Sequence, residues 1–191
     1  MDANEKSERL VEVASAVLDA APNRRLNTVV LNKAIFYLDL ASLRDRGELL
    51  TGNAYIALQQ GPVVAQYQKR LIDRLEARGI AHQVDEWDGS KPVTLTALPE
   101  YRFLDEPARV QASRVTAFFA NQTSKEASDY SHENPGWLLA WAEYGRTGKP
   151  CSINMQVALQ QILQEDPWMD QPLLGAKDIL AAADAEDGED W

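Results

Sequence analysis

One cysteine and two histidines are all the soft metal-ligand chemistry in this chain of 191 residues. With Cys151 alone, no intramolecular disulfide framework can form, and a lone free thiol points to a reducing cytosol. Nucleophilic use of Cys151 would need an electropositive setting with a base close by. Lys149 is near, but no histidine is close in sequence, so the thiol reads as structural. A zincin places two histidines one helical turn apart so that both imidazoles face one ion. Here His132-Glu133 is followed by Asn134-Pro135-Gly136, so the second ligand is missing and the proline disturbs the helix that the motif needs. A Gly-x-Ser-x-Gly elbow, a P-loop and a Gly-x-Gly-x-x-Gly turn after a strand are also lacking. These absences argue against an enzyme and leave no expected metal or cofactor. No apolar run approaches the roughly 18 residues that span a membrane, and the polar start MDANEKSERLVEV does not read as a secretory signal.

What is present is a globular composition, 45% apolar and 25% charged. The formal charge of -10 is unevenly placed. Between 176 and 191, Asp178, Asp184, Glu186, Asp187, Glu189 and Asp190 face only Lys177, so half of the excess sits in that stretch. The chain is therefore expected to be one domain over 1–175, followed by a self-repelling acidic tail over 176–191 that is at least partly disordered. Direct nucleic-acid binding is disfavoured, because phosphate neutralisation needs Lys and Arg. A basic protein partner fits this balance better.

Periodicity predicts a helix-dominated α+β fold with a small antiparallel β element. An amphipathic helix is expected over 7–21 with Ser7 as a candidate cap, followed by a nearly all-apolar helix over 26–46 between Asn27 and Gly47. A strand-like run ends at Leu58, Gly61-Pro62 breaks it, and a helix is expected from Val63 to Arg78. Asp88-Gly89 marks a hairpin over 82–98. Helices are further expected over 106–121 capped by Asp105, over 123–130, from Asn134 with Pro135 in the first turn, over 154–164, and after Asp166.

Two charges stand out. Lys33 and Asp39 lie in the apolar helix, where an unpaired charge is costly, so both are expected to reach the rim or to pair with neighbours. In Ser131-His132-Glu133-Asn134-Pro135-Gly136-Trp137, His132 reads as a residue at a helix entrance, and Trp137 and Trp141 share a helix face.

These residues resemble the Panacea domain, also called the SocA-like or GepA domain. The resemblance rests on Leu31, Lys33, Ile35, Phe36, Tyr37 and Asp39, then Thr51, Gly52 and Tyr55, then Gly61, Pro62 and Val63, and finally Ser131, His132 and Trp137, in order over 26–141. Ala34 departs from the pattern, which usually has a larger residue there. The resemblance implies the antitoxin of a bacterial or phage toxin–antitoxin system, a cytoplasmic protein that neutralises a cognate toxin by direct binding. It makes Lys33, Tyr37, Asp39, Thr51, Gly52, Tyr55, Gly61, Pro62, Ser131, His132 and Trp137 candidates for framing or contacting that partner. The DNA-binding domain that precedes some members is not expected, since about 25 residues stand before the signature. Two other readings stay open: an adaptor that hands a bound partner to a protease, and an enzyme using His132 with Lys33 or Glu133.

Overall fold

The computed structural model describes residues 1–163 and 166–169. The acidic tail, and most of the helix expected after Asp166, lie outside the described residues. The helix-dominated α+β class is what the chain adopts. In chain order the elements are α1 (Ala3–Asp19), β1 (Arg25–Asn27), α2 (Thr28–Arg46), β2 (Tyr55–Leu58), β3 (Gly61–Val64), α3 (Asp73–Ala77), β4 (Ala81–Gln83), β5 (Pro92–Leu95), α4 (Glu106–Ala120), α5 (Ser124–His132), α6 (Pro135–Thr147) and α7 (Met155–Ala158). A π-helical turn over Gln68–Ile72 leads into α3, and a 3-10 turn over Leu159–Ile162 extends α7.

The organising element is α2, which packs against α1, α4, α5 and β3. Its all-round apolar sequence fits that central place, with Leu31, Ala34, Ile35, Phe36, Leu38 and Leu40 fully buried. Asn27 caps it by accepting from Val29 N, and Gly47 ends it in the left-handed conformation at φ 76. A second core layer is aromatic. Tyr37 meets Phe119, Tyr130 and Trp168 at ring-centroid distances of 5.1, 5.2 and 5.9 Å, joining α2 to α4, α5 and the last described segment.

Several expectations need correction. α1 starts at Ala3, not near Ser7, because Asp2 supplies the cap by accepting from Glu5 N at 2.8 Å. The segment after Gly61-Pro62 is a strand: β3 pairs antiparallel with β2 in the register Tyr55↔Val64, Ile56↔Val63, Ala57↔Pro62 and Leu58↔Gly61. Burial of Val63 and Val64 favours this pairing, and Gln66 at φ 59 interrupts the chain before the helix begins. The hairpin over 82–98 forms, yet β5 also pairs with β1, so the β structure is a three-stranded sheet ordered β1-β5-β4 plus the β2-β3 pair.

Candidate functional site

β2 and β3 are joined by Gln59 and Gln60, both exposed. A turn leaves carbonyls that the strand ladder does not satisfy, and here side chains from three helices take them up. Lys33 Nζ on α2 donates to Pro62 O at 3.0 Å, Ser128 Oγ on α5 to Gln60 O at 3.1 Å, and Trp137 Nε1 on α6 to Leu58 O at 3.1 Å. His132 Nε2 lies 3.1 Å from Gln59 O. A carbonyl can only accept, so that nitrogen carries the hydrogen and Nδ1 keeps the lone pair.

Gly61 and Pro62 explain why this turn can be gripped so closely. Ala57 N donates away from β3 to Cys151 O at 3.1 Å, so Ala57 and Pro62 form a non-hydrogen-bonded pair. The missing N–H of Pro62 therefore costs the ladder nothing, and its carbonyl points to α2, where Lys33 meets it. Gly61 sits at φ 100, and a Cβ there would be 2.8 Å from Lys33 Nζ and closer still to Ser131 Oγ. Only glycine lets α2 and α5 approach the strand from both sides.

Lys33 has no exposed surface, so the expectation that it reaches the rim fails. It makes no ion pair among the described residues, and burial pushes its amine down to about 7. Burial also holds the His132 imidazole below its usual value, helped by the charge of Lys33 and opposed by the Gln59 carbonyl. Ser131 Oγ donates to Ser128 O at 2.8 Å, whereas the ring beside it in sequence faces Gln59 O. Ser131 and His132 thus do not form a nucleophile–base pair.

Asp39, Thr51, Gly52 and Tyr55 form a separate centre. Asp39 accepts from Thr51 N at 2.9 Å, Thr51 Oγ1 at 2.5 Å and Tyr55 OH at 2.7 Å. Burial raises this carboxyl to about 6 against the pull of those hydrogen bonds. Gly52 follows at φ 61, packed so close to Met1 that a Cβ would lie 2.6 Å from its sulfur. Tyr37 belongs to a third network: its hydroxyl donates to Gln161 Oε1 at 2.7 Å, and Asn134 Nδ2 donates to the same oxygen at 2.8 Å. Asn134 also caps α6, accepting from Gly136 N and Trp137 N. Ser128, Asn134 and Gln161 were not singled out in sequence; the Asn-Pro cap signal reaches Asn134, while nothing local marks the other two.

Beside the gripped turn runs an aromatic ladder. His132 stacks on Trp137 at 4.2 Å, Trp137 on Trp141 at 5.5 Å and Trp141 on Tyr144 at 5.0 Å, with interplanar angles of 19°, 12° and 20°. A cavity of about 390 Å³ lies between α2, the turn and α6, with Asn32, Lys33, Val63, Tyr67, Trp141 and Tyr144 among its walls. Two further cavities, of about 430 and 400 Å³, also include Gln60, so the turn is the hub of one indented face. On that face Lys125 pairs with Asp129, and Lys91 with Asp85. Among the described residues no group of three or more His, Cys, Asp or Glu side chains is placed to hold a metal ion, and no helix is long and apolar enough to cross a membrane.

Residues 31–138 match the family model described as antitoxin SocA-like, Panacea domain. No curated protein and no solved structure matches the chain. The matched span covers more than half of the chain and holds most of α2, the β2-β3 turn, α5 and the start of α6, the elements that build the gripped turn. The chain belongs to the antitoxin SocA-like, Panacea domain family.

Proposed function

We propose that this chain is the antitoxin of a toxin–antitoxin pair, acting in the cytoplasm, and that it neutralises its cognate toxin by binding it through the face around Gln59 and Gln60. The observation that carries the reading is the construction of that face. Lys33, Gly61, Pro62, Ser131, His132 and Trp137 come from four elements, and each fixes or abuts the backbone of one exposed turn. A frame that spends buried donors on a turn makes a rigid platform, and rigidity lowers the entropic cost of binding. The aromatic edge at Trp141 and Tyr144, with Leu138 and Leu139 exposed on α6 at 49% and 64%, supplies the apolar contact area that such interfaces use.

In this reading the chain performs no chemistry; it masks a toxin surface. His132 serves as architecture, so a His132→Ala variant that stays folded keeps most of its neutralising power, while an enzyme using His132 would lose it. The test of the face is co-expression with the toxic reading frame encoded beside it. Gln59→Arg with Gln60→Arg alters only exposed side chains, because the protein holds this turn by its carbonyls. The double variant is expected to keep its melting temperature and lose rescue of growth. Full rescue by that variant would move the binding site elsewhere.

A further inference from the structure

Trp87 is the one described tryptophan that the fold does not pack. Trp137 and Trp168 are buried and Trp141 stacks in the ladder, whereas Trp87 is 99% exposed. Among the described residues its ring makes no hydrogen bond, stack or cation–π contact. It stands at the tip of the β4-β5 hairpin, and that tip is firmly built. Glu86 N donates to Ser90 O and Gly89 N to Glu86 O, each at 2.9 Å. Ser90 adds two more bonds, its N–H to Asp88 Oδ1 and its hydroxyl to Glu86 Oε2, also at 2.9 Å. Arg25 and Lys91 pair with Glu86 and Asp85 on the flanks. An indole held out in water by a fixed turn loses little freedom when a partner covers it. Tryptophan is also the side chain in which interface hot spots are most enriched.

The charge around the ring selects the class of partner. Asp85 and Glu86 have their cations, but Asp88, the residue after Trp87, meets none among the described residues. The Ser90 amide that donates to it holds its carboxyl below the usual range, so it stays ionised. An aromatic that stacks on nucleic-acid bases or enters a lipid surface is flanked by Lys or Arg. A carboxylate in that place repels phosphates and anionic lipids alike. A second copy of this chain fits no better, since a two-fold contact through the tip would set Asp88 against Asp88 between chains of formal charge -10. What fits is a protein surface with an apolar pocket and a Lys or Arg on its rim. The position agrees with that. Asp88, Gly89, Ser90 and Lys91 share the cavity of about 430 Å³ with Gln60, so the tip borders the gripped turn.

We propose that Trp87 anchors a second contact with the toxin, its indole entering an apolar pocket of that partner while Asp88 meets a basic side chain on the pocket's rim. The inference rests on the antitoxin reading, and it adds a hairpin that lies outside the turn and helices carrying that reading.

The test uses the complex formed when the chain is co-expressed with the toxic reading frame encoded beside it. Trp87→Ala removes no ring contact within the fold, so its melting temperature is expected to match that of the unaltered chain. Its release from the toxin, followed by chase with excess unaltered chain, is expected to be at least about 30-fold faster, the roughly 2 kcal/mol of a hot spot. Trp87→Phe is expected to fall between the two. Asp88→Asn keeps the acceptor for Ser90 N and removes only the charge. It is expected to weaken binding severalfold at low salt and little at high salt. The proposal is overturned if Trp87→Ala leaves the toxin at the unaltered rate, if Asp88→Asn binds at low salt as the unaltered chain does, or if the free chain is a dimer that Trp87→Ala dissociates. Each of these results leaves the Gln59→Arg/Gln60→Arg growth test free to succeed or fail on its own. Failure of the unaltered chain to bind or rescue would instead remove the antitoxin reading and this contact together.

Discussion

Asp39 and Lys33 sit on the same central helix, and neither has any exposed surface. Yet the protein treats these two buried charges in opposite ways. Asp39 accepts hydrogen bonds from Thr51 and Tyr55 that tie the loop after α2 to the core. Lys33 is given one carbonyl, that of Pro62, and stands in the wall of a cavity. A charge that is fully satisfied and enclosed serves as a structural clasp. A buried charge left with a single acceptor is costly to the fold. The two halves of the family's α2 pattern thus hold different pieces of backbone: Asp39 ties down the loop after α2, and Lys33 holds the Pro62 carbonyl.

The largest expected effect breaks the enclosed side of this comparison. Asp39→Ala strands the donors of Thr51 and Tyr55 in the core, and the loss of stability in urea denaturation is expected to be about 4 kcal/mol. Next comes Gly61→Ala, whose methyl would press on Ser131 and Lys33 at a backbone φ of 100. A loss of roughly 3 kcal/mol is expected.

The pH profile of stability sharpens the comparison further. Asp39 is raised from 3.8 to about 6, so the folded chain holds a proton there that the unfolded chain releases. Its contribution to stability is full at low pH and is lost as pH rises through about 6, a change on the order of 3 kcal/mol. Lys33 is depressed from 10.5 to about 7, so its contribution is present at alkaline pH and lost as pH falls through about 7. Together these groups favour a stability minimum between the two values. Urea denaturation across pH is expected to show Asp39→Asn flattening the acid limb and Lys33→Met flattening the alkaline limb.

Smaller effects concern the open side. Trp137→Phe deletes the donor to Leu58 O, and calorimetry is expected to register a loss of about 1 kcal/mol. Lys33→Met should destabilise the chain at neutral pH by no more than about 1 kcal/mol, because the lost hydrogen bond is offset by removal of a desolvated charge. A Lys33→Met loss as large as that of Asp39→Ala would erase the contrast between the two charges.

Much of the scaffold was legible in the sequence, for local reasons. Caps at Asn27 and Asp105, the helix starts at Thr123 and Asn134, and the left-handed stop at Gly47 are short-range chemistry, and each stands where the pattern places it. Ser7 misled because it begins the apolar stripe, whereas the helix runs a turn further to Asp2. The strand at Gly61–Val64 was missed because its cause is distant: β2 across the turn, Asn32 accepting from Val64 N, and Lys33 under Pro62. The candidate residues were legible as an ordered pattern, but their division into a clasp at Asp39, a gripped turn at Gln59–Gln60 and a Tyr37 network was not. That division depends on which helices converge, and no spacing along the chain encodes it. Trp141 was visible as the partner of Trp137, while Tyr144, a further turn along, completes the ladder only in three dimensions.

The central claim, that the gripped turn is the face that meets the toxin, is tested most directly by hydrogen exchange of this chain with and without its co-purified toxin. Protection is predicted over residues 58–63 and 138–144, with the Lys69–Arg78 segment unchanged. Protection confined to Lys69–Arg78, with the turn and α6 exchanging as in the free chain, would contradict it.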